Sequence, residues 1–529
     1  MASTDFDAIV IGSGFGGAVS ACRLAQAGMK VLVLERGRRW TPETYPREPG
    51  DAWLWNHDQP EHFNGWADLR TFSDMWVAAG AGVGGGSLIY ANVSVEAQPR
   101  VFDSKWPKGL DHPTLKPYYD RVADLLGLQL LPDNQLTARY LLMKEGAEKC
   151  GWGNRFHKLP LAVSFDPGFD PERAPARDDS HSRPFTNAHG VQQGTCVHCG
   201  NCDIGCQVKA KNTLDLNYLA VAEKRGAEIR PLHLVVKLAA EPGGVWRVHF
   251  DRLEGGQRHP GSASARRVIL AAGSIGSTEL LLRCRDEHRT LAGLSDRLGK
   301  GWAFNGDFVT PAFYKSRKVS PSHGPTISSA IDLLDGSYKN QALFIEDGGV
   351  PNLAADFIRE RLKQLPGGRL RQLWSDLGQH ADVQDPLQNM MPWFGQAVDA
   401  ADGELYLGRL WYAPWRRTLK MHWDYRASEA TVNAMVEVHK KLSAATGGQP
   451  FVPPTWTVAH NLITPHPLGG CNMADSPAQG VVDGHGQVFG QQGLYVMDGA
   501  ILPRAIGLNP SRTIAALAER GAERIVHTA

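Results

Sequence analysis

Asp7-Ala-Ile-Val-Ile-Gly12-Ser13-Gly14-Phe15-Gly16-Gly17 is the stretch on which the fold turns. Its first five residues form a short, mostly β-branched apolar run suited to a buried strand, and the run breaks abruptly into glycine. Ala18 to Ala27 continues in helical style, and Val31 to Leu34 is a second apolar run, so the order is strand, turn, helix, strand. Gly12, Gly14 and Gly17 give Gly-x-Gly-x-x-Gly at the mouth of that helix, where backbone N–H groups and the helix dipole converge on a point suited to a pyrophosphate. Glu35, at the end of the second strand, is placed to accept both ribose hydroxyls of an adenosine and to repel a 2′-phosphate. A glycine triplet alone is weak; triplet, βαβ context and acidic residue together predict a dinucleotide-binding domain.

A second glycine-rich segment, Gly80-Ala-Gly82-Val-Gly84-Gly85-Gly86-Ser87-Leu-Ile-Tyr-Ala-Asn92, decides which dinucleotide. So many residues without a Cβ let backbone approach a flat ring or a second phosphate face closely, and nicotinamide folds need no such loop, so FAD is expected. Arg267 to Ala272 runs into Gly273-Ser274 and then Thr278 to Leu282, strand then helix again, which returns the chain to the sheet late. The last residues place Ile514, Leu517, Ala518 and Ile525 on one helical face, with Asn509 expected as N-cap and Pro510 at the first helical position. Between Gly301 and Thr464 the chain becomes Trp-rich (Trp374, Trp393, Trp411, Trp415, Trp423), with strand-like alternation near Glu404 to Leu410, which predicts a separate lobe with aromatic surface. The basic cluster Arg359 to Lys363 reads as a solvated helix face. The expected fold class is α/β (α+β overall): a discontinuous Rossmann-like FAD-binding domain (residues 1–100, 190–299 and 465–529) with an antiparallel-sheet substrate-binding lobe (101–189 and 300–464).

At 529 residues the chain is long enough for two domains or one two-lobed unit. Lys+Arg at 56 against Asp+Glu at 55 removes the electrostatic motive for binding nucleic acid or an anionic membrane. No stretch approaches the roughly 18 consecutive apolar residues of a membrane span, and no signal peptide precedes the first strand. Four of the eight cysteines crowd together while the rest are scattered, a pattern that fits a reducing cytoplasm better than a disulfide scaffold.

The chain resembles the glucose-methanol-choline oxidoreductases and, within them, is similar to the cholesterol-oxidase branch. The carrying pieces are Gly12 to Gly17 with Glu35, the Gly80 to Asn92 loop, Trp106-Pro107 followed by Pro117-Tyr118-Tyr119, Ala271-Ala272-Gly273-Ser274, His466-Pro467-Leu468-Gly469-Gly470-Cys471, and Tyr495 to Arg504 ending near Asn509-Pro510. They span most of the chain in family order. The resemblance implies FAD in an extended pose beneath a sheet-roofed substrate lobe. It puts His466 and Asn509 on the family's catalytic pair, Asp498-Gly499 beside the ribityl and ring region, and the Val235 backbone at the adenine. The full FAD site expected is Gly12, Gly14, Phe15, Gly16, Gly17, Glu35, Arg36, Gly80, Gly84, Gly85, Gly86, Ser87, Asn92, Val235, Ala272, Gly273, Asp498, Gly499, Asn509, Pro510 and Thr513.

Oxidising an alcohol removes a hydride from carbon and a proton from oxygen, so a side chain that titrates near neutrality must lie beside the hydroxyl while flavin N5 faces the C–H bond. His466 has the right chemistry. Asn509, at the start of the terminal helix, is expected to bring that helix's positive end toward the flavin pyrimidine. Glu346, in Phe-Ile-Glu-Asp-Gly-Gly-Val-Pro, is placed like the acidic residue this branch uses as a base near substrate, and reads equally as an ordinary turn carboxylate. Trp residues of the middle lobe with Met390, Met391, Phe394 and Met421 are expected to shape an apolar cavity, so the substrate is read as a sterol-like or alicyclic secondary alcohol.

Cys196-x2-Cys199-x2-Cys202-x3-Cys206 has the spacing of an iron-sulfur loop, with Gln207 where bacterial ferredoxins have proline and no second run to match it. Zinc, two disulfides and free thiols stand as the other readings. A cluster would carry electrons out to a redox protein and make the enzyme a dehydrogenase; without one, oxygen is an equal choice of acceptor. Two rival functions stay open at this point: a flavin-containing isomerase using Glu346 without net oxidation, and a non-catalytic flavin electron-transfer protein.

Overall fold

The computed structural model describes residues 4–172, 178–352, 386–410, 413–458 and 460–528, so Arg359 to Lys363, Trp374 and Trp411 lie outside the described residues. Strand β1 (Phe6–Ile11), helix α1 (Phe15–Gln26) and strand β2 (Val31–Leu34) form the opening unit. The two strands are parallel, with Ile9 opposite Leu32, and a parallel pair needs the crossover that α1 supplies. Ile9, Val10, Leu32 and Val33 are all fully buried, each such side chain contributing about 1.5–3 kcal/mol of transfer free energy. Burial on both faces explains why these strands read as continuous apolar runs rather than alternating ones.

The first sheet has seven strands, in the order His233–Glu241, Val245–Glu254, Gln257–Leu270, β1, β2 and Glu228–Arg230, with Leu494–Val496 added beside Gln257–Leu270. The long strand Gln257–Leu270 does double duty: its early part pairs antiparallel with Val245–Glu254, and its end lies parallel to β1, Val268 opposite Ile9. The glycine turn after β1 and the Ala272-Gly273 turn after Leu270 therefore leave the same edge of the sheet side by side.

A second, antiparallel sheet of six strands runs Gln449–Pro450, Phe308–Phe313, Met390–Ala397, Gln341–Asp347, Ser329–Tyr338 and Phe156–Lys158. Helix Glu429–Thr446 packs on it. The alternating segment near Glu404 is the strand Gly403–Leu410, paired with Ala413–His422. Helix His112–Leu126 packs against the terminal helix Ser511–His527. Two expectations change. Trp393 and Trp423 are buried core residues, Trp393 donating to Ser443 Oγ at 2.9 Å, whereas Trp415 is 83% exposed, so neither set forms an aromatic cavity wall. The cap position of the terminal helix is Pro510, without a side-chain cap bond, so Asn509 lies one residue outside the helix and its carboxamide is free for other use. Among the described residues no helix is long and apolar enough to cross a membrane.

Candidate active site

A cavity of about 1050 Å³ extends from the turn after β1 to the end of the six-stranded sheet. At its nucleotide end Gly14 occupies the cap position of α1 and no side chain satisfies the helix's first N–H groups, which is the state that suits a pyrophosphate. Gly16 is required by close approach: a Cβ there would stand 1.4 Å from the Met497 carbonyl oxygen. The two glycine loops touch through backbone alone, since a Cβ on Gly85 would lie 2.5 Å from Gly14 Cα. The Glu35 carboxylate, 5% exposed, accepts from Ser13 N at 3.0 Å and Ser13 Oγ at 2.7 Å on one oxygen and from Gly37 N at 2.9 Å on the other. Held this way it presents fixed acceptor lone pairs to the ribose position. Arg36 pairs with Asp68 at 2.7 Å, its guanidinium 4.0 Å from the Trp55 ring centroid.

Of the residues expected at the cofactor, Gly12, Gly14, Phe15, Gly16, Glu35, Arg36, Gly80, Gly85, Gly86, Val235, Ala272, Gly273, Asp498, Gly499, Asn509 and Pro510 line the cavity. Gly17, Gly84, Ser87, Asn92 and Thr513 do not. Gly17 serves packing, because a Cβ there would meet Gly12 O at 2.1 Å. Ser87 Oγ donates to Gly84 O at 2.7 Å and accepts from Leu214 N at 3.1 Å, so both residues hold the loop's shape. Asn92 is buried at φ 67° and Thr513 Oγ1 meets the Tyr119 hydroxyl at 3.1 Å. The sequence reading missed a charged cluster in the cavity wall: Glu279 is held by His57 at 3.1 Å, Arg70 at 3.3 Å and Arg283 at 2.6 Å. Burial works against the Glu279 charge, yet His57, Arg70 and Arg283 hold its carboxyl well below the usual range.

The reacting centre is built around one imidazole. His466 lines the cavity, and its Nδ1 lies 2.8 Å from the Oδ1 of Asp307, a residue only 1% exposed. Thr464 Oγ1 donates to the other Asp307 oxygen at 2.6 Å and accepts from the His466 backbone N–H at 2.9 Å, so ring and backbone share one anchor. Gln396 Nε2 also stands 3.3 Å from Nδ1. Nδ1 cannot accept from Gln396 while donating to Asp307, and the shorter contact to a buried carboxylate makes it the donor. Nε2 then carries the lone pair and has no hydrogen-bond partner among the described residues.

Two residues before Asp307, Asn305 does the same service for the other side of the centre. Its Oδ1 accepts from Ile506 N at 3.1 Å and Gly507 N at 2.9 Å, and its Nδ2 donates to Leu508 O at 2.9 Å. This clamps the loop that delivers Asn509. Asn509 Nδ2 lies 3.5 Å from Glu346 Oε2, while Glu346 Oε1 and Asn509 Oδ1 are buried without partners among the described residues. Burial, then the neighbouring Asp347, push the Glu346 carboxyl behind Asn509 well above the usual carboxyl range. It does not line the cavity itself. His466, Asn509 and Glu346 are thus brought together, joined by Asp307, Asn305, Thr464 and Gln396, which no motif announced.

Comparison with known proteins places the chain in a family. The GMC oxidoreductase family matches residues 401–518, and the NAD(P)-binding Rossmann-like domain matches residues 10–76. A cholesterol oxidase of Acinetobacter baumannii is 31% identical over 98% of this chain and 93% of its own. One from Mycobacterium tuberculosis (strain H37Rv) is 32% identical over 98% of this chain and 90% of its own. The chain belongs to the GMC oxidoreductase family, in its cholesterol-oxidase-like branch. The fold is shared with pyridoxine 4-oxidase from Mesorbium loti, at a TM-score of 0.63 and 17% identity, covering 98% of this chain and 99% of that one. The protein is accordingly an FAD-dependent alcohol oxidoreductase.

Two expectations about this GMC oxidoreductase need correction. Cys196, Cys199, Cys202 and Cys206 are free thiols, and among the described residues no three or more His, Cys, Asp or Glu side chains converge as metal ligands would. The described residues therefore give no support for an iron-sulfur cluster or zinc at this loop. Of Met390, Met391, Phe394 and Met421, only Phe394 lines the cavity; Met390 and Met391 are buried core.

Proposed function

We propose that the protein oxidises a secondary alcohol on an apolar ring, sterol-like or alicyclic, to the ketone, with His466 Nε2 as the proton acceptor. The observation that carries this is the His466–Asp307 pair, which fixes an imidazole with a free Nε2 at the cavity wall near several apolar side chains. Ile89, Val309, Ile327, Val350, Pro392 and Phe394 are those side chains, and they adjoin the cofactor end of the same cavity. Bound FAD supplies the hydride acceptor.

The chain's own residues do the rest. The substrate hydroxyl donates its proton to Nε2, and the imidazolium that forms is stabilised by Asp307 through Nδ1–H, as a buried carboxylate stabilises cationic histidine elsewhere. Asn509, held by Asn305 through its loop and hydrogen-bonded to Glu346, lines the cavity wall, where its carboxamide N–H would orient the carbinol. The apolar walls exclude water, which strengthens each of these polar contacts. The uncapped start of α1 and the Glu35 carboxylate would hold the pyrophosphate and ribose of FAD. The named oxidases among the relatives support oxygen as the final electron acceptor. Anaerobic titration with a panel of sterols, terpenoid alcohols and cyclohexanols tests the reading: the flavin bleaches with at least one, and a pure isomerase or a non-catalytic flavin protein would not bleach.

A further inference from the structure

A secondary carbinol carbon carries a hydrogen, an oxygen and two ring arms. With the oxygen at His466 Nε2 and the hydrogen facing bound FAD, the one freedom left is exchange of the two arms, and that exchange is the difference between one epimer and the other. A third fixed contact beside the imidazole is enough to choose between them.

Phe394 supplies such a contact. Its ring lies 6.3 Å from the His466 ring, centroid to centroid, tilted by 47°, and it lines the cavity. It stands on Met390–Ala397, an interior strand of the six-stranded sheet, opposite Val309 on one neighbouring strand and Glu346 on the other. Directly opposite residues of an antiparallel sheet project from the same face, so the three form one row on the cavity side. The row runs from outside to inside: Val309 is 38% exposed, Phe394 is half-buried and Glu346 is fully buried.

The Phe394 ring has little room to retreat. Behind the strand, a Cβ on Gly395 would stand 2.5 Å from Met435 Sδ and 3.1 Å from His439 Nε2, so helix Glu429–Thr446 packs directly on the strand backbone. Beside the ring, a Cβ on Gly348 would meet Phe394 Cβ at 3.3 Å. Packing this close yields little to relieve a clash.

We propose that Phe394 decides which epimer of the alcohol is oxidised. It closes the place of one ring arm beside His466 and directs the bulkier arm along the row past Val309, toward solvent. The inverted epimer, with its oxygen and hydrogen in the same places, drives its bulkier arm into the Phe394 ring. The proposal rests on the cavity being the alcohol site and on His466 receiving the proton, and it adds stereochemistry to that reading.

The test uses the FAD-loaded enzyme and two matched pairs: the two epimers at the hydroxyl carbon of a saturated monohydroxysteroid, and the two enantiomers of menthol. Where neither pair is oxidised, the best chiral alcohol of the wider panel serves with its mirror form. Anaerobic flavin reduction gives kcat/KM for each member. The wild-type enzyme favours one configuration by about tenfold or more, which steric fit in an apolar pocket can supply, and a smaller preference overturns the proposal. In Phe394→Ala that ratio falls at least about threefold, because the favoured configuration loses more than the disfavoured one. Phe394→Leu keeps apolar bulk without the ring plane; it lowers the ratio by at least the same amount and carries the test where the alanine variant yields no holoprotein. A ratio that changes less, including an equal loss for both configurations as a purely structural role would give, overturns the proposal. Failure of every alcohol to reduce the flavin would instead remove the oxidoreductase reading and this proposal with it.

Discussion

Replacing Asp307 by asparagine removes one charge and almost no volume, and the structure permits the cost to be worked out. Hydrogen bonds to charged groups are worth about 1.5–3 kcal/mol against about 0.5–1.5 for neutral ones, so the imidazolium loses about 1–2 kcal/mol, or about 5- to 30-fold in rate. The asparagine can also sit two ways. With its carbonyl toward His466 Nδ1, its amide donates to Thr464 Oγ1, which can turn its own proton to Phe304 O at 3.0 Å, and the productive tautomer survives. With the amide reversed, Nδ1 becomes the acceptor and Nε2 carries the proton, which disables it as a base. Two arrangements of similar energy cost roughly another factor of two, so kcat falls about 10- to 60-fold. Asp307 does not line the cavity, so KM and FAD content stay near wild type. The deciding assay is anaerobic stopped-flow reduction in His466→Asn, Asp307→Asn and the double variant. If Asp307 acts through His466, adding its substitution to His466→Asn costs nothing further. A full additional loss in the double variant, or a single Asp307→Asn variant within twofold of wild type, would show that Asp307 does not act through His466.

Gly14→Ala meets no protein atom closer than 3.8 Å, so the chain folds while the pyrophosphate loses its close approach; FAD affinity measured by equilibrium dialysis falls by about 10- to 150-fold. Gly16→Ala meets Met497 O at 1.4 Å and is expected to yield no soluble holoprotein, which expression trials will show. Glu346→Gln alters pH dependence: the raised carboxyl contributes stability that is full below its unfolded value near 4.5 and is lost as pH rises toward its folded one. The melting temperature of the variant relative to wild type therefore climbs from pH 5 to pH 9, and a flat difference would mean Glu346 is already ionised. Iron and zinc analysis of purified protein should find neither in stoichiometric amount, with Cys196, Cys199, Cys202 and Cys206 titrating as thiols on unfolding.

The nucleotide half was legible because its physics is local. Gly12, Gly16 and Gly17 are dictated by backbone approach, and β1 and β2 by burial on both faces, so composition within a short window carries the information. His466 was legible from its glycine-rich loop. Asp307 was not, since it stands 159 residues away and meets His466 only once the second sheet has formed. Thr464, two residues from His466, was the one local sign of an anchor. The tryptophans misled because aromatic residues fill cores as readily as they line sites, and Trp393 does the former. The cysteine spacing says what a loop could wrap around, and the described residues do not converge there as metal ligands would.

On this mechanism an alcohol in the cavity delivers its proton to His466 as it reduces bound FAD. Single-turnover anaerobic mixing of the holoenzyme with its best ring alcohol, wild type against His466→Gln, measures this directly. Bleaching in wild type with a loss of about 100-fold or more in the variant is expected, at equal FAD content. Equal bleaching rates in both proteins would contradict it.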